Sequence, residues 1–341
     1  MKRKLVLAAL LAVIAALFLH QPPRYRIWGY YPYWLGEEWK RLDLGAYDSL
    51  LFFEIPIRNG GELSPPGGWP EQAPGSGQAV FSLFDRATFE RLFPDASARD
   101  RLVGNIVSLS KSGGLSGIQL DIEIQERVSR ESAEGFRAFV AALRKASRGR
   151  ALSLFVLSDD AAGLYDAKLF GFFDYLVLQG YDAHWRTGPS SGPISQLGGT
   201  GPDAWKNQLE KCLSLGVPRS RILFAIPYFG YEWPTRTDRP GAPTTGPGSI
   251  ISYAPVRGVP EIAASAESRV RDYGMRRDPD SGSPYYVFRN GGQWIQGWFE
   301  DGNSLSGKLE FVKREHLAGI AAFPLGYDGG KFSALLRQKL R

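Results

Sequence analysis

The stretch GIQLDIEI, residues 117–124, alternates isoleucine or leucine with Gln119, Asp121 and Glu123. Successive side chains of a strand point to opposite faces, so the apolar row and the polar row lie on different sides. A buried polar row is costly unless the side chains are used. The pattern therefore predicts a strand of a parallel α/β barrel. Its polar row points into the barrel and rises to the rim, where active sites of such barrels lie.

Similar apolar runs recur on both sides of this stretch and alternate with segments of helical periodicity, as in repeated βα units. Strands are predicted at 25–31, 49–57, 78–84, 117–124, 151–158, 173–182, 221–233 and 317–328. The main helices are predicted at 95–112, 129–146, 201–215 and 304–315. No Gly-x-Gly-x-x-Gly turn follows the first strand, so the eight strands favour a closed (β/α)8 TIM barrel over an open sheet.

Two regions interrupt the alternation. Residues 60–77 are rich in glycine and proline and predict a long loop in the third unit. Residues 234–297 are polar and contain further Pro and Gly, which predicts a small α+β insertion between strand 7 and helix 7. Within it, Asn290-Gly291-Gly292 is typical of a β-hairpin turn.

Residues 1–24 have the layout of an export signal, a basic start followed by the apolar run from Leu5 to Leu19. The run is short for a membrane-spanning helix, which needs about 17 to 25 residues. No clear small-x-small cleavage site follows it, so a cleaved signal peptide and an N-terminal membrane anchor both remain open. In either case the barrel, residues 25–341, is expected to be extracytoplasmic.

Composition narrows the function classes. The 41 Lys and Arg against 35 Asp and Glu give a formal net charge of +6, and the basic residues are scattered, whereas nucleic-acid binding favours a clustered basic face. Cys212 is the only cysteine, so an internal disulfide and a cysteine zinc cluster are impossible. We expect a monomer without metal or cofactor, acting on a glycan, with membrane contact only through residues 1–24 if they are retained.

Asp121 and Glu123 are the candidate catalytic groups. Strand rise places their alpha carbons about 7 Å apart on one face. Two carboxyl groups so close in a partly enclosed site do not ionise together easily, which raises the pKa of one of them. Glu123 is the outermost of the polar row, so it is the better placed to give a proton to a substrate.

Five stretches together resemble glycoside hydrolase family 18, the chitinase-like barrels. They are SGIQLDIE (116–123), GYYPYW (29–34), LQGYD (178–182), ILFAIPYFGYEW (222–233) and GIAAFPLGYDGG (319–330). The first resembles the family's fourth-strand motif Asp-Gly-x-Asp-x-Asp-x-Glu. SPYYVF (283–288) and WFEDGNSLSGKLEFVKREHLAGI (298–320) most resemble the branch that contains spore-cortex peptidoglycan hydrolases.

The resemblance implies a retaining mechanism in which the acetamido group of the substrate is the nucleophile. Glu123 would be the acid and base, Asp121 would hold the acetamido nitrogen, and Tyr181 would donate its hydroxyl to the acetamido oxygen. Further substrate contacts are expected from residues at other strand ends and in the insertion, which would form one wall of a groove. These expected contacts are Gln179, Asp182, Tyr30, Tyr31, Tyr228, Trp298 and Phe323.

Three departures from the family pattern bear on function. Ser116 and Gln119 replace the first two aspartates of the motif, and Phe323 stands where the family has a tryptophan beneath the sugar. A glycan-binding protein with little or no catalysis on the same barrel therefore remains an alternative. A metal-dependent hydrolase using Asp121, Glu123, Asp182 and His184 is less well supported, because no His-x-x-x-His spacing occurs. Peptidoglycan is favoured over chitin, and an exported polysaccharide remains open.

Overall fold

A computed structural model describes residues 25–67, 69, 77–262 and 264–341, and the predicted export signal lies outside them. The strands, in chain order, are β1 (Arg26–Pro32), β2 (Ser49–Pro56), β3 (Gln78–Leu83), β4 (Gly117–Ile122), β5 (Ala151–Val156), β6 (Tyr175–Leu178), β7 (Ile222–Pro227), β8 (Phe229–Thr235), β9 (Ser249–Ser252), β10 (Ala264–Ser265), β11 (Arg276–Arg277), β12 (Pro284–Asn290), β13 (Gln293–Trp298) and β14 (Gly319–Phe323). The helices are α1 (Arg86–Leu92), α2 (Ala96–Ser112), α3 (Arg130–Ala146), α4 (Ala167–Phe170), α5 (Trp205–Ser214), α6 (Ala266–Tyr273), α7 (Gly302–Arg314) and α8 (Ser333–Leu340).

The barrel closes in the strand order β1-β14-β7-β6-β5-β4-β3-β2, and all of its pairings are parallel. Parallel strands put their carboxyl ends at one rim, so the residues that follow each strand converge there. The predicted (β/α)8 barrel is confirmed. The predicted strand at 221–233 is in fact two strands, because the chain leaves the barrel after Pro227 and enters a second sheet at Phe229.

The flanking helices follow from sequence signals at their ends and on their faces. Asp95 and Ser129 cap α2 and α3, each accepting a hydrogen bond from a backbone N–H of the first turn. In α3, Phe136, Phe139 and Val140 are buried at helical spacing against the barrel. The short helix α1 was missed by the sequence analysis, which gave the third unit only one helix.

The insertion forms a separate sheet in the order β10-β9-β8-β13-β12-β11, between β7 and α7 as predicted. It begins at Phe229, a little earlier than the predicted 234. The predicted hairpin lies between β12 and β13, where Asn290 pairs with Gln293 across Gly291 and Gly292. Both glycines have positive φ, which the primed hairpin turn requires.

Among the described helices, none has both the length and the apolar character needed to cross a bilayer. The core lies between barrel and helices, and it continues into the base of the insertion sheet through β8 and β13. The insertion thus stands beside the barrel rim and leaves the centre of the rim open.

Candidate active site

A pocket of about 270 Å³ opens at the carboxyl end of the barrel. Its walls come from the ends of barrel strands and from the first strands of the insertion. The lining residues are Tyr30, Trp34, Phe53, Asp121, Glu123, Phe155, Gln179, Tyr181, Asp182, Phe229, Tyr231, Ile250, Phe323, Pro324 and Tyr327. The structure thus brings together Asp121, Glu123, Tyr181, Gln179, Asp182, Tyr30 and Phe323 from the predicted set.

The pair of carboxyl groups on β4 forms the floor of the pocket. Asp121 is 3% exposed, and the polar row beneath it continues with fully buried Gln119. Burial raises the pKa of Asp121 well above its usual range, and the nearby charges of Glu123 and Glu54 raise it further. Asp121 and Glu123 therefore do not ionise together easily.

Glu123 lies just past the end of β4, where its backbone N–H donates to Leu83 O at 3.0 Å. Burial raises the pKa of Glu123 to about 7, although a hydrogen bond with Asp121 lowers it in part. The charges of Asp182 and Glu54 also raise it. A carboxyl group that titrates near neutral pH can both give and take a proton there.

Asp182, after β6, forms the polar side wall. Its carboxylate accepts a hydrogen bond from Tyr231 Oη at 2.9 Å and a longer one from Gln179 Nε2 at 3.4 Å. Burial raises the pKa of Asp182 to about 6. Its φ of 64° is unusual for a residue other than glycine, and such backbone conformations concentrate at functional sites.

Aromatic rings form the remaining walls. Tyr181 is stacked on Phe323, with ring centroids 6.1 Å apart and an angle of 22° between the planes. Phe229 meets Tyr181 edge to face at 5.4 Å. Such a walled pocket suits the apolar C–H faces of a sugar, and Tyr181 lines it together with the carboxyl pair.

Tyr30, a predicted substrate contact, lines the pocket together with Asp121. Its hydroxyl is buried without a hydrogen-bond partner among the described residues, and the charge of Asp121 adds to burial in raising its pKa. Gln119 donates to Ser153 Oγ at 3.2 Å on the neighbouring strand β5. The departure from the family motif is thus accommodated by a neutral hydrogen bond.

Three predicted substrate contacts, Tyr31, Tyr228 and Trp298, are not among the residues that line the pocket. Tyr31 follows Tyr30 on β1, so it points the other way, and its hydroxyl donates to Gly36 O at 2.9 Å. Tyr228 is turned toward Tyr47, with the two hydroxyl oxygens 3.2 Å apart.

Trp298 is stacked on Tyr285 at 4.5 Å within the insertion sheet. The expected wall of the groove exists, but Phe229, Tyr231 and Ile250 of β8 and β9 form it.

Several pocket residues were missed although their sequence positions carried a signal. Phe155 is next to the carboxyl end of β5, Phe229 follows β7 by two residues, and Phe53 lies three residues before the end of β2. Trp34 and Tyr327 belong to stretches that the resemblance already included, and Trp34 Nε1 donates to Tyr327 Oη at 3.1 Å. Counting inward-facing positions at every strand end would have found most of them.

Histidine and acidic side chains do not gather into a metal site in the described part of the chain, where no group of three or more could hold an ion. His184 Nδ1 lies 2.8 Å from Pro193 O and does not line the pocket. The metal-dependent alternative therefore has no donor set here. The chemistry available in the pocket is proton transfer by paired carboxyl groups.

The family model for glycosyl hydrolases family 18 matches residues 82–328, which include the whole of β4 and the pocket residues after it. The chain belongs to glycosyl hydrolase family 18. Chitotriosidase-1 of Mus musculus is 26% identical over 275 residues, covering 73% of this chain and 57% of that protein. The cortical fragment-lytic enzyme of Bacillus anthracis is 23% identical over 244 residues, covering 68% of this chain and 51% of that protein.

Solved structures of family 18 share the fold. The chitinase from Cycas revoluta in complex with allosamidin superposes with a TM-score of 0.79 at 20% identity, covering 93% of this chain and 100% of that one. The chain thus spans between half and three fifths of the curated relatives above and the full length of this chitinase chain. The resemblance to family 18, including its cortex-lytic members, is confirmed.

Proposed function

We propose that the protein is a retaining glycosidase that cleaves an N-acetylglucosamine-containing glycan, with Glu123 as its acid and base. The observation that carries the proposal is the Asp121–Glu123 pair at the barrel rim, in which Asp121 is buried and Glu123 is partly buried, lining one pocket with Tyr181. The pKa of Glu123, about 7, suits a group that must first give and then take a proton.

In the proposed reaction, Glu123 donates its proton to the glycosidic oxygen as the bond to the anomeric carbon breaks. The carbonyl oxygen of the substrate's acetamido group attacks that carbon and closes an oxazolinium ring. Asp121 accepts the acetamido N–H, and Tyr181 donates its hydroxyl to the acetamido oxygen. Glu123 then takes a proton from the water that opens the ring, so the configuration is retained.

The side wall supports binding of the same sugar. Asp182, held by Tyr231 and Gln179, presents an acceptor to sugar hydroxyl groups. Phe323, packed against Tyr181, would stack beneath the ring over less area than a tryptophan. These contacts favour a substrate whose acetamido group reaches inward to the carboxyl pair.

Peptidoglycan is the favoured substrate, since the cortical fragment-lytic enzyme is among the relatives and the sequence begins with an export-signal pattern. Chitin-like oligomers and an exported polysaccharide are the other candidates, and a chitotriosidase is also a relative. The proposal places the barrel outside the cytoplasmic membrane, as a monomer.

A glycan-binding role with little catalysis is the second candidate. Gln119 is uncharged and hydrogen-bonded to Ser153, so the carboxylate chain of the family motif is interrupted below Asp121. Binding would then use the same aromatic walls without bond cleavage.

The test is turnover of N-acetylated glucosamine oligomers and of purified peptidoglycan sacculi by the wild type and by Glu123→Gln. Release of reducing ends by the wild type, lost in the variant, is the expected result. Equal saturable binding by both proteins without turnover would contradict the glycosidase and favour the binding role. Cleavage of sacculi alone, or of oligomers alone, identifies the substrate class.

A further inference from the structure

Glu54, on β2, is a partly buried acidic side chain that the proposed reaction does not use. Within the described residues, its Oε2 atom accepts no hydrogen bond. Burial raises the pKa of Glu54, and the Ser82 hydroxyl and the charge of Arg58 lower it in part. An unsatisfied carboxyl oxygen in this position costs stability, so its presence calls for a functional reason.

A β-bulge in β2 lies beside Glu54. β2 and β3 are in register at Phe52 and Ala79 and again at Ile55 and Phe81, so β2 has one extra residue between these pairs. Bulges re-aim the side chains beside them and are common next to active sites. Here Phe53 lines the catalytic pocket, and Glu54 lines a second pocket together with Ser82.

The second pocket gives Glu54 access to solvent. It has a volume of about 460 Å³ and lies between the ends of β2 and β3 and the start of α1. Arg58 and Ser82 also line it. Solvent access and these two neighbours favour the ionised form of Glu54, whereas Asp121 has almost no exposure.

The charge of Glu54 acts on the catalytic pair. Ser82 of β3 is in register with Asp121 of β4, so it stands between Glu54 and the pair. On β4, Gln119 is neutral, so it supplies no negative charge beside Asp121. We infer that Glu54 is a positioning residue that keeps the shared proton on the Asp121–Glu123 pair, by supplying from β2 a negative charge that Gln119 does not supply from β4.

Several titratable groups besides Glu54 act on the Asp121–Glu123 pair. These groups are Tyr30 from β1, Glu54 from β2, Tyr165 between β5 and α4, and Tyr181 and Asp182 after β6. The tyrosines stay neutral because burial raises the pKa of each. Glu54 and Asp182 are therefore the charges that can set the proton affinity of Glu123.

The experiment is a ¹³C NMR titration of the side-chain carboxyl groups in the full-length protein, together with the pH profile of kcat/KM on a methylumbelliferyl chitobioside. Glu54→Gln is expected to lower the apparent pKa of Glu123 by roughly half a unit to one unit, since a nearby negative charge is lost. The alkaline limb of the profile should move by the same amount. Glu54→Asp should restore most of the shift.

Glu62→Gln is the matched control, because Glu62 is an exposed glutamate on the following loop. An unchanged titration of Glu123 in folded Glu54→Gln, or the same shift in the control, would overturn the inference. If Glu54→Gln does not fold, Ser82→Ala replaces it and should give a smaller shift of the same sign. The inference rests on Glu123 as the acid of the proposed function, but the titration needs no turnover, so the two can fail separately.

Discussion

Glu123 is partly buried and Glu300 is buried, and the two glutamates have opposite kinds of neighbours. Glu300, just after β13, binds Lys308 Nζ at 2.6 Å, and both side chains are at most 4% exposed. Glu123 has other carboxyl groups as neighbours, and no lysine or arginine is among the described residues that line its pocket. Glu300 thus has a lysine partner where it joins the insertion to α7. The pocket around Glu123, where the proposed reaction transfers a proton, is lined by no lysine or arginine of the described residues.

The largest effect is expected from breaking the structural pair. Lys308→Met leaves Glu300 buried without its partner, which should lower the free energy of unfolding by about 3 to 5 kcal/mol. Chemical denaturation measures this loss. The double variant with Glu300→Gln should recover most of it, because no buried charge remains. A loss in the single variant no larger than in the double variant would contradict a paired, charged Lys308.

The next largest effect is on kcat, and it should differ between a tyrosine that lines the pocket and a tyrosine in the core. Tyr181→Phe removes the hydroxyl next to the carboxyl pair and should lower kcat by about 100-fold, as for a donor to a developing charge. Tyr228→Phe is the matched control, since Tyr228 contacts Tyr47 and should leave kcat unchanged. Turnover of the oligomeric substrate measures both. Equal losses in the two variants would show that the pocket assignment is wrong.

The third effect is a predicted gain in the free energy of unfolding, whereas Lys308→Met is predicted to lower it. The pKa of Glu123 in the folded protein, about 7, lies above the ordinary value of 4.5, so the folded state binds the proton more tightly than the unfolded state. This stabilisation is fully present below about pH 4.5 and is lost as the pH rises through about 7.

Glu123→Gln cannot ionise, so it should match the wild type near pH 4. At pH 8 it should exceed the wild type by about 3 kcal/mol, less the share of the proton binding that Asp121 takes over. Denaturation at both pH values tests this. A pH-independent difference between the two proteins would argue against a raised pKa of Glu123.

The barrel could be predicted from sequence because its signals are local. Alternation in GIQLDIEI, strand-sized apolar runs and helix caps each act within a few residues, and the structure confirms the barrel that they predict. The polar row of β4 also led directly to Asp121 and Glu123. The polar, Pro- and Gly-containing composition of the second sheet predicted that it is an insertion. The point where the chain leaves the barrel could not be predicted, because Tyr228 and Phe229 continue an apolar run.

Pocket residues outside β4 depend on geometry that the sequence does not express. The sequence predicts Trp298 and Tyr228 as aromatic residues that line a groove. In the structure Trp298 is buried in the pairing of β13 with β8, and Tyr228 is buried against Tyr47. Glu54 was overlooked because the bulge in β2 that lies beside it appears only in the strand pairing. A register irregularity between two strands has no local sequence pattern, even when the strands are consecutive, as β2 and β3 are.

The smallest effect is expected for two neighbouring tyrosines on β1, which repeat the contrast between site and structure within one dipeptide. Tyr31 donates to Gly36 O and accepts from Trp39 N at 3.0 Å, so Tyr31→Phe should cost about 1 kcal/mol of stability without changing turnover. Tyr30→Phe removes a hydroxyl that has no hydrogen-bond partner in the described structure, so stability should hold. Its turnover should fall several-fold because Asp121 loses a polar neighbour in a site where the proton is shared. Unfolding temperature and kcat measured on both variants decide this, and the opposite assignment of the two losses would mean that β1 presents Tyr31, not Tyr30, to the glycan.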